Sequence, residues 1–127
     1  MNSANAVKAF IISDNKLLVV KRRKDDVTRP DTWDLPGGRL EQGENPFTGL
    51  QREVKEETSL EIIIKNPLGV HHFTRDDNQK IMMVVFLCET DSTNVVLDEE
   101  NQEFKWIFLD EAKELLHHSF HPEIITY

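Results

Sequence analysis

The sequence contains a single cysteine, Cys88, among its 127 residues. A lone cysteine has no partner for an intrachain disulfide, and its place inside an apolar run indicates a buried thiol in a reducing compartment. That run, residues 81–88, is the longest apolar stretch, and it is too short to span a bilayer. The first residues lack the basic and apolar regions of a signal peptide. Together these absences predict a cytoplasmic protein without a membrane segment.

Positive charge is also scarce. Lys and Arg number 15 against 23 Asp and Glu, which gives a formal net charge of −8. This balance argues against broad electrostatic binding to nucleic acid or to anionic lipid. It does not exclude a nucleotide, because a bound metal ion inverts the field around it. The length suits one domain over residues 1–127.

Histidine occurs five times, but not in a chelating pattern. His71 and His72 are adjacent, as are His117 and His118, and His121 stands alone. Neighbouring side chains on a strand or helix point in different directions, so neither pair binds a metal by itself. A structural zinc site is therefore disfavoured, and His72 stays open as a residue that contacts a ligand.

Carboxylates are abundant, and many lie within residues 37–60. Asn45 is a good N-cap and Pro46 suits the first position of a helix. Apolar residues then follow at spacings of three and four, which predicts an amphipathic helix; they are Phe47, Leu50 and Val54. Three glutamates at i, i+3 and i+4 share an adjacent face of that helix; they are Glu53, Glu56 and Glu57.

The clustered acids have two interpretations. Like charges at this spacing destabilise a helix by roughly 0.2–0.5 kcal/mol per pair. A divalent cation removes that repulsion, and Mg²⁺ prefers carboxylate and carbonyl oxygens. The alternative is a solvated acidic face with Arg52 and Lys55 as neighbours. For the helix taken alone the second interpretation is favoured, and the residues around it reverse that order.

The other elements are predicted from apolar runs and turn residues. Residues 7–12 and 17–20 predict a hairpin around a turn at residues 13–15. Further strands are predicted at residues 61–65, 68–75, 80–89 and 104–109, with 80–89 in a central position. Asn66 and Pro67 predict a turn, and Asp110 is the predicted cap of a helix over residues 111–118.

The spacing around the acids decides between the two interpretations. Residues 38–60 read GRLEQGENPFTGLQREVKEETSL. This stretch resembles the signature of the Nudix hydrolases, G-x5-E-x7-R-E-U-x-E-E-x-G-U, where U is a bulky aliphatic residue. Every defined position matches except the second glycine, which is Ser59. A glycine just past a helix usually takes a left-handed conformation, so the departure concerns the helix exit and not the acids. Residues 33–36, WDLP, also match the approach that is common in that family.

The resemblance implies an α/β protein, the Nudix α/β/α sandwich with a mixed β-sheet between helices. It implies hydrolysis of a nucleoside diphosphate linked to another group, with Mg²⁺ or Mn²⁺ as cofactor. The metal ligands implied by position are the Gly37 carbonyl, Glu53, Glu56 and Glu57. Glu53 matches a ligand or the general base, since the family varies at this point. The supporting motif residues are Gly38, Glu44 and Arg52, and the arginine steadies the acids by ion pairing.

Further site residues are expected outside the motif. The family often draws another catalytic acid from a loop before the last strand, where Glu100 and Glu103 are the candidates and Glu100 is favoured. A solvated loop acid is the alternative for either one. Arg22 and Arg23, at the end of a predicted strand, are candidates for binding a substrate phosphate. Their alternative role is to keep a strand end soluble.

Substrate identity is the least determined property. Trp33 and Phe73 are candidates for contact with the base, although a tryptophan beside a turn more often packs within the protein. The marks of ADP-ribose and diadenosine polyphosphate hydrolases have no clear match, and the only tyrosine is Tyr127. We therefore predict a MutT-like enzyme that cleaves a nucleoside triphosphate to monophosphate and pyrophosphate.

Other functions stay open. One is a pyrophosphatase for ADP-ribose or another nucleotide derivative. A second is a nucleotide-binding regulator without catalysis, but such domains usually lose motif acids, and Glu53, Glu56 and Glu57 are all present. A third is an acidic interaction domain without a ligand. Nudix proteins are often homodimers, so a homodimer is an open expectation for this chain.

Overall fold

The computed structural model describes residues 3–26, 30–75 and 77–116. These ranges contain seven strands and two helices, in the order β1 (Ser3–Ser13), β2 (Lys16–Arg22), β3 (Trp33–Asp34), β4 (Gly37–Arg39), α1 (Pro46–Thr58), β5 (Ile62–Thr74), β6 (Lys80–Thr90), β7 (Asn101–Phe108) and α2 (Leu109–Leu115). Neither described helix is long and apolar enough to cross a bilayer. The expectations about His117, His118, His121 and Tyr127 concern residues outside the described ranges.

The described strands form one mixed sheet. Strands β3, β2, β1, β6 and β5 lie side by side in that order, while β4 pairs with β1 and β7 pairs with β2. Strands β1 and β6 run parallel, and the other pairs are antiparallel. The predicted hairpin of β1 and β2 is confirmed. Asp14 and Asn15 join the two strands with positive φ angles of 49° and 64°, a conformation that these residue types tolerate in tight hairpin turns.

The two helices cover opposite faces of the sheet. One buried cluster joins α1 to the face that carries the odd-numbered residues of β1; its members include Val7, Ala9, Ile11, Leu50 and Val54. A second cluster joins α2 to the opposite face; its members include Phe10, Leu17, Val19, Val85 and Ala112. The strand alternation therefore yields the α/β/α sandwich that the resemblance implied.

Strand β5 corrects one prediction. Asn66 and Pro67 do not turn the chain, because they continue a strand that pairs with β6 along its length. The register shifts between Ile64 and Asn66, and again between Pro67 and Gly69. Among the described strands, β5 lies at one edge of the sheet. An edge strand tolerates proline and bulges, because its outward N–H groups are not needed for a ladder.

The last two elements also differ from the predictions. Strand β7 begins at Asn101 rather than at residue 104. Helix α2 begins at Leu109, and its cap position is Phe108, whose side chain makes no capping hydrogen bond. The predicted cap at Asp110 is wrong, because the strand runs directly into the helix. Asp110 instead lies in the first turn, where its charge interacts favourably with the helix N-terminus. The predicted helix end at residue 118 lies outside the described residues.

Candidate active site

Helix α1, which carries the acids, begins as predicted. The Asn45 side chain accepts a hydrogen bond from the backbone N–H of Phe47 at 2.8 Å, and Pro46 takes the first helical position. Leu50 and Val54 are fully buried against the sheet. This packing fixes the rotation of α1, and with it the direction of the acidic face.

Helix α1 ends at a left-handed residue. Ser59 has φ 64° and ψ 11°, and its backbone N–H donates to the carbonyl of Lys55 at 3.0 Å. A non-glycine residue in this conformation costs about 1–2 kcal/mol. The Ser59 hydroxyl donates to the Val96 carbonyl at 3.2 Å, which offsets part of that cost. The departure from the Nudix signature therefore leaves the left-handed helix exit in place.

Arg52 connects three acids. It makes a two-point contact with Glu44, with Nε–Oε2 at 2.8 Å and Nη2–Oε1 at 2.9 Å. The same guanidinium lies 3.2 Å from Glu53 Oε1 and 3.2 Å from Glu56 Oε1. The Arg52 hydrogen bonds, with the backbone N–H of Glu41, lower the pKa of Glu44 to about 2. Arg52 thus joins the loop before α1 to the acidic face, as its predicted supporting role requires.

Glu57 is a buried carboxylate held by a glycine. Glu57 is only 7% exposed. Its Oε2 accepts a hydrogen bond from the backbone N–H of Gly37 at 2.8 Å. Burial raises the pKa of Glu57 to about 8, although the charge of Lys8 and the Gly37 N–H oppose that shift. Gly37 has φ 146°, and a side chain there would collide with the Val7 carbonyl. This close backbone approach requires glycine.

Glu53 packs directly on the second glycine. A Cβ atom at Gly38 would lie 2.7 Å from Glu53 Oε2. Burial raises the pKa of Glu53, the neighbouring charges of Glu56 and Glu100 add to that shift, and Arg52 opposes it. Glu53 and Glu57 are therefore two acids whose burial is only partly offset by nearby positive charge, and they lie beside the adjacent glycines Gly38 and Gly37.

The donor chemistry fits a hard divalent cation. Among the described residues, no three Asp, Glu, His or Cys side chains converge into a complete metal site. Carboxylate and carbonyl oxygens are nevertheless the ligands that Mg²⁺ takes. Burial is the main cause of the raised pKa values of Glu53 and Glu57, and neighbouring acids add to it. A bound cation would favour the charged form of both carboxylates. The residues that would hold it are Gly37, Glu53, Glu56 and Glu57.

An open pocket of about 830 Å³ lies beside these acids. Its lining joins the end of β2 to α1 and to the loop before β7; the lining residues are Arg22, Arg23, Asp25, Asp26, Glu56, Asp98, Glu99 and Glu100. The structure thus brings four of the predicted site residues to one pocket, namely Arg22, Arg23, Glu56 and Glu100.

The two arginines of the pocket are held by neighbouring acids. Arg22 Nη1 lies 3.2 Å from Asp26 Oδ2, while the buried Nε of Arg22 has no hydrogen-bond partner among the described residues. Arg23 pairs with Asp25 at 3.2 Å and donates to the Glu99 carbonyl at 3.3 Å. Both arginines are therefore held in the pocket wall by acids of the same segment.

The two candidate loop acids are separated by the structure. Glu100 lines the pocket and acts electrostatically on Glu53. Glu103 lies on β7 opposite Lys21, with Lys21 Nζ 3.8 Å from its carboxylate. Glu103 pairs with Lys21 and is not among the charges that shift the pKa of Glu53, so we retain Glu100 and leave Glu103 out of the proposed site.

Trp33 and Phe73 also lie outside this pocket. Trp33 packs against the cluster on the α2 face, and Lys105 Nζ lies 5.1 Å from the centre of its ring. Phe73 lies on the edge strand β5, where it is half-exposed and opposite Ile81. The pocket therefore gives no support to either aromatic residue as a contact of the base.

Three charged residues near the site were missed in the sequence. Lys8 and Asp34 are buried, and Asp98 lines the pocket and adds to the raised pKa of Glu57. Lys8 offered a signal, because it is the only charged residue in the apolar run 6–12. Asp34 and Asp98 offered none, because they look like ordinary acids beside a turn and in an acidic loop.

Comparison with known proteins assigns the family. A model of the NUDIX domain matches residues 2–127 of the chain. The chain belongs to the Nudix family. The resemblance of residues 38–60 to the Nudix signature is thereby confirmed, and the protein is a Nudix hydrolase.

Individual relatives agree with this assignment. The hydrolase is 33% identical over 114 residues to the 8-oxo-dGTP diphosphatase of Buchnera aphidicola, covering 89% of this chain and 83% of that protein. It is 30% identical over 116 residues to the ADP-ribose pyrophosphatase of Methanocaldococcus jannaschii, covering 91% and 68%. The structure of the MutT protein from Methanosarcina mazei Go1 superposes with a TM-score of 0.81 at 27% identity, covering 88% and 81%.

Proposed function

We propose that this Nudix hydrolase cleaves a nucleoside triphosphate, with water, to a nucleoside monophosphate and pyrophosphate in the presence of Mg²⁺ or Mn²⁺. The observation that carries the proposal is that two arginines and two glutamates line the same pocket; they are Arg22, Arg23, Glu56 and Glu100. A polyphosphate needs positive groups on one side and cation-holding acids on the other, and this pocket offers both.

Arg22 is the stronger candidate for phosphate binding. Its side chain lines the pocket, and a guanidinium binds phosphate oxygens through paired N–H groups. Its Nη1 contact to Asp26 holds the guanidinium in place. Arg23 is tied to Asp25 and to the Glu99 carbonyl, both on the pocket wall. Arg23 therefore links two segments that line the pocket and adds positive charge to it.

Glu53 and Glu100 are the proposed residues for activating water. Burial and neighbouring charges raise the pKa of Glu53, which brings its carboxylate closer to the range of a useful general base. Glu100 acts electrostatically on Glu53 and is the alternative base. A divalent cation held by the acids would neutralise charge on the phosphate oxygens and lower the pKa of bound water. The water gives its proton to the base and attacks one phosphorus of the anhydride in line: attack at the α-phosphorus would expel pyrophosphate, and attack at the β-phosphorus would expel the nucleoside monophosphate.

The nucleoside triphosphate is favoured over other nucleotides by two considerations. The sequence lacks the marks of ADP-ribose and diadenosine polyphosphate hydrolases outside the motif, and a relative that the chain matches at 33% identity bears the name of an 8-oxo-dGTP diphosphatase. ADP-ribose is the second candidate, because another relative, at 30% identity, bears the name of an ADP-ribose pyrophosphatase.

The decisive experiment measures phosphate and pyrophosphate release across a substrate panel, with Mg²⁺ and with EDTA. The panel contains the nucleoside triphosphates, their oxidised forms, ADP-ribose, diadenosine polyphosphates and nucleotide sugars. We expect metal-dependent release of pyrophosphate from one or more triphosphates, and ¹⁸O-water identifies the phosphorus that is attacked. If no substrate in the panel is hydrolysed but nucleotides still bind, a non-catalytic regulator would be favoured instead.

A further inference from the structure

Lys8 is a buried ammonium group in a strand that is otherwise apolar. It is the only charged residue among the buried residues 6–11 of β1. Its Nζ lies 3.1 Å from Asp34 Oδ2, and the two side chains are 8% and 2% exposed. A buried ion pair is weak support for stability, because apolar residues of similar size often stabilise a fold equally well or better. Stability alone therefore does not account for this pair.

The ion pair fastens the segment that leads into the motif glycines. Lys8 Nζ also donates to the Leu35 carbonyl at 3.4 Å. The second carboxylate oxygen of Asp34 accepts the Leu35 N–H at 2.7 Å. The backbone of the next residue is anchored as well, because the Pro36 carbonyl accepts the Ala9 N–H at 2.8 Å. Residues 34–36 are thus fixed to β1 from both backbone and side chains.

This anchored segment ends at the glycine that holds Glu57. Gly37 is the register partner of Lys8 in the β1–β4 pairing, and its N–H donates to Glu57 Oε2 at 2.8 Å. Lys8 lies on the face of β1 that carries Phe10, and its partner Val85 on β6 belongs to the α2-side cluster. Glu57 belongs to α1, on the other face. The contacts of Lys8 and Glu57 therefore meet at one short segment from opposite sides of the sheet.

We propose that Lys8 and Asp34 are positioning residues for the metal site: their buried ion pair sets the place of Gly37 and, through its N–H, of the Glu57 carboxylate. The inference rests on the proposed metal-dependent function. Removing a group that orients a metal ligand without touching the metal typically lowers metal affinity by about 10–100-fold. Neither residue lines the pocket that Arg22 and Arg23 share, so the pair does not contact a phosphate bound there.

The test removes the ion pair without leaving a lone buried charge. In the double variant Lys8→Met/Asp34→Asn, the asparagine retains an acceptor for the Leu35 N–H. The readout is the Kd for Mn²⁺, measured by electron paramagnetic resonance of the free ion, with the unfolding midpoint in EDTA measured in parallel. The control is Lys65→Met/Glu89→Gln, which removes an ion pair of 3.5 Å between β5 and β6, away from the pocket.

We expect the Lys8/Asp34 double variant to bind Mn²⁺ about tenfold or more weakly than the wild type, with little change in the EDTA midpoint. The Lys65/Glu89 control should bind Mn²⁺ as the wild type does, and the single variant Lys8→Arg, which keeps the positive charge beside Asp34, should bind it within about twofold of the wild type. Equal Mn²⁺ affinity in the folded double variant and the wild type overturns the inference. If the double variant does not fold, Lys8→Gln/Asp34→Asn, which also removes both charges and retains polar groups for hydrogen bonds, provides the same comparison. Failure of the wild type itself to bind Mn²⁺ overturns the proposed metal function, and the inference with it.

Discussion

Gly37 donates its backbone N–H to Glu57 Oε2 at 2.8 Å, across the junction between β4 and α1. This hydrogen bond joins the residue just before the Nudix motif to the last turn of the motif helix, because Gly37 begins β4 and Glu57 lies near the end of α1. It also keeps Glu57 at a buried position, where its charge is poorly solvated. The stability of the metal-free protein should therefore depend on this carboxylate.

The first prediction concerns Glu57 and pH. The folded-state pKa of about 8 lies above the ordinary value of 4.5, so the protonated form favours folding. That contribution is complete below about pH 4.5 and is lost as the pH rises through about 8. In EDTA at pH 8.5, Glu57→Gln should be more stable than the wild type by at least about 2 kcal/mol, since one pKa unit corresponds to about 1.4 kcal/mol. Urea unfolding at pH 5 and pH 8.5 measures the difference. An equal gap at both pH values would contradict the prediction.

The second prediction concerns Glu53. Glu53→Gln keeps the shape of the side chain but removes the charge that holds a cation or accepts a proton. The rate of hydrolysis should fall by about 10²–10⁴-fold, while the unfolding midpoint in EDTA stays the same or rises, because burial disfavours the charged form. Steady-state kinetics and thermal unfolding check both parts. A variant that keeps its rate would remove Glu53 from the catalytic set.

The third prediction separates the two loop acids with matched substitutions. Glu100 lines the pocket, whereas Glu103 pairs with Lys21. Glu100→Gln should lower kcat by about tenfold or more, the range of a positioned acid or base. Glu103→Gln should change kcat by less than about twofold. The reverse order of effects in the same assay would mean that the catalytic acid had been assigned to the wrong residue.

The fourth prediction uses two glycines with opposite requirements. A Cβ at Gly38 would press on the end of the flexible Glu53 side chain, whereas Gly43 has open space around it but φ 76°. Gly38→Ala should displace the Glu53 carboxylate and reduce activity about tenfold or more with little loss of stability. Gly43→Ala should lose about 1–2 kcal/mol of stability and retain its activity. Kinetics and urea unfolding on both variants test whether Gly38→Ala loses activity and Gly43→Ala loses stability. The reverse result would contradict the prediction.

The fifth prediction concerns the exit of α1. Ser59 is left-handed and its hydroxyl bonds to the Val96 carbonyl. Alanine removes the hydrogen bond and keeps the strained conformation, whereas glycine removes both. Ser59→Gly should therefore be more stable than Ser59→Ala by about 1–2 kcal/mol. Thermal unfolding of the pair measures this gap, and both variants should retain wild-type kcat. Equal stability would show that the helix exit relaxes when the hydroxyl is lost.

The start of α1 was predictable from local chemistry, whereas the course of β5 and the buried ion pair depend on tertiary contacts and were not. Asn45 and Pro46 mark a helix start by local chemistry, and the structure has both in those roles. Pro67 looks like a turn in sequence, but its place on an edge strand makes a continuous strand acceptable. The ion pair of Lys8 and Asp34 joins residues 26 positions apart, so it is recognisable only once the fold is known.

Strand β5, an edge of the sheet among the described strands, disfavours one way in which copies of this protein could associate. A sheet edge normally presents a regular row of donors and acceptors that a second chain can extend. Along β5 that row is interrupted by Pro67, which has no N–H, and by two register irregularities. Continuation of the sheet into a neighbouring molecule is therefore disfavoured along this edge. A homodimer that uses this side of the molecule has to rely on side-chain contacts, and the same interruptions protect the strand against templated aggregation.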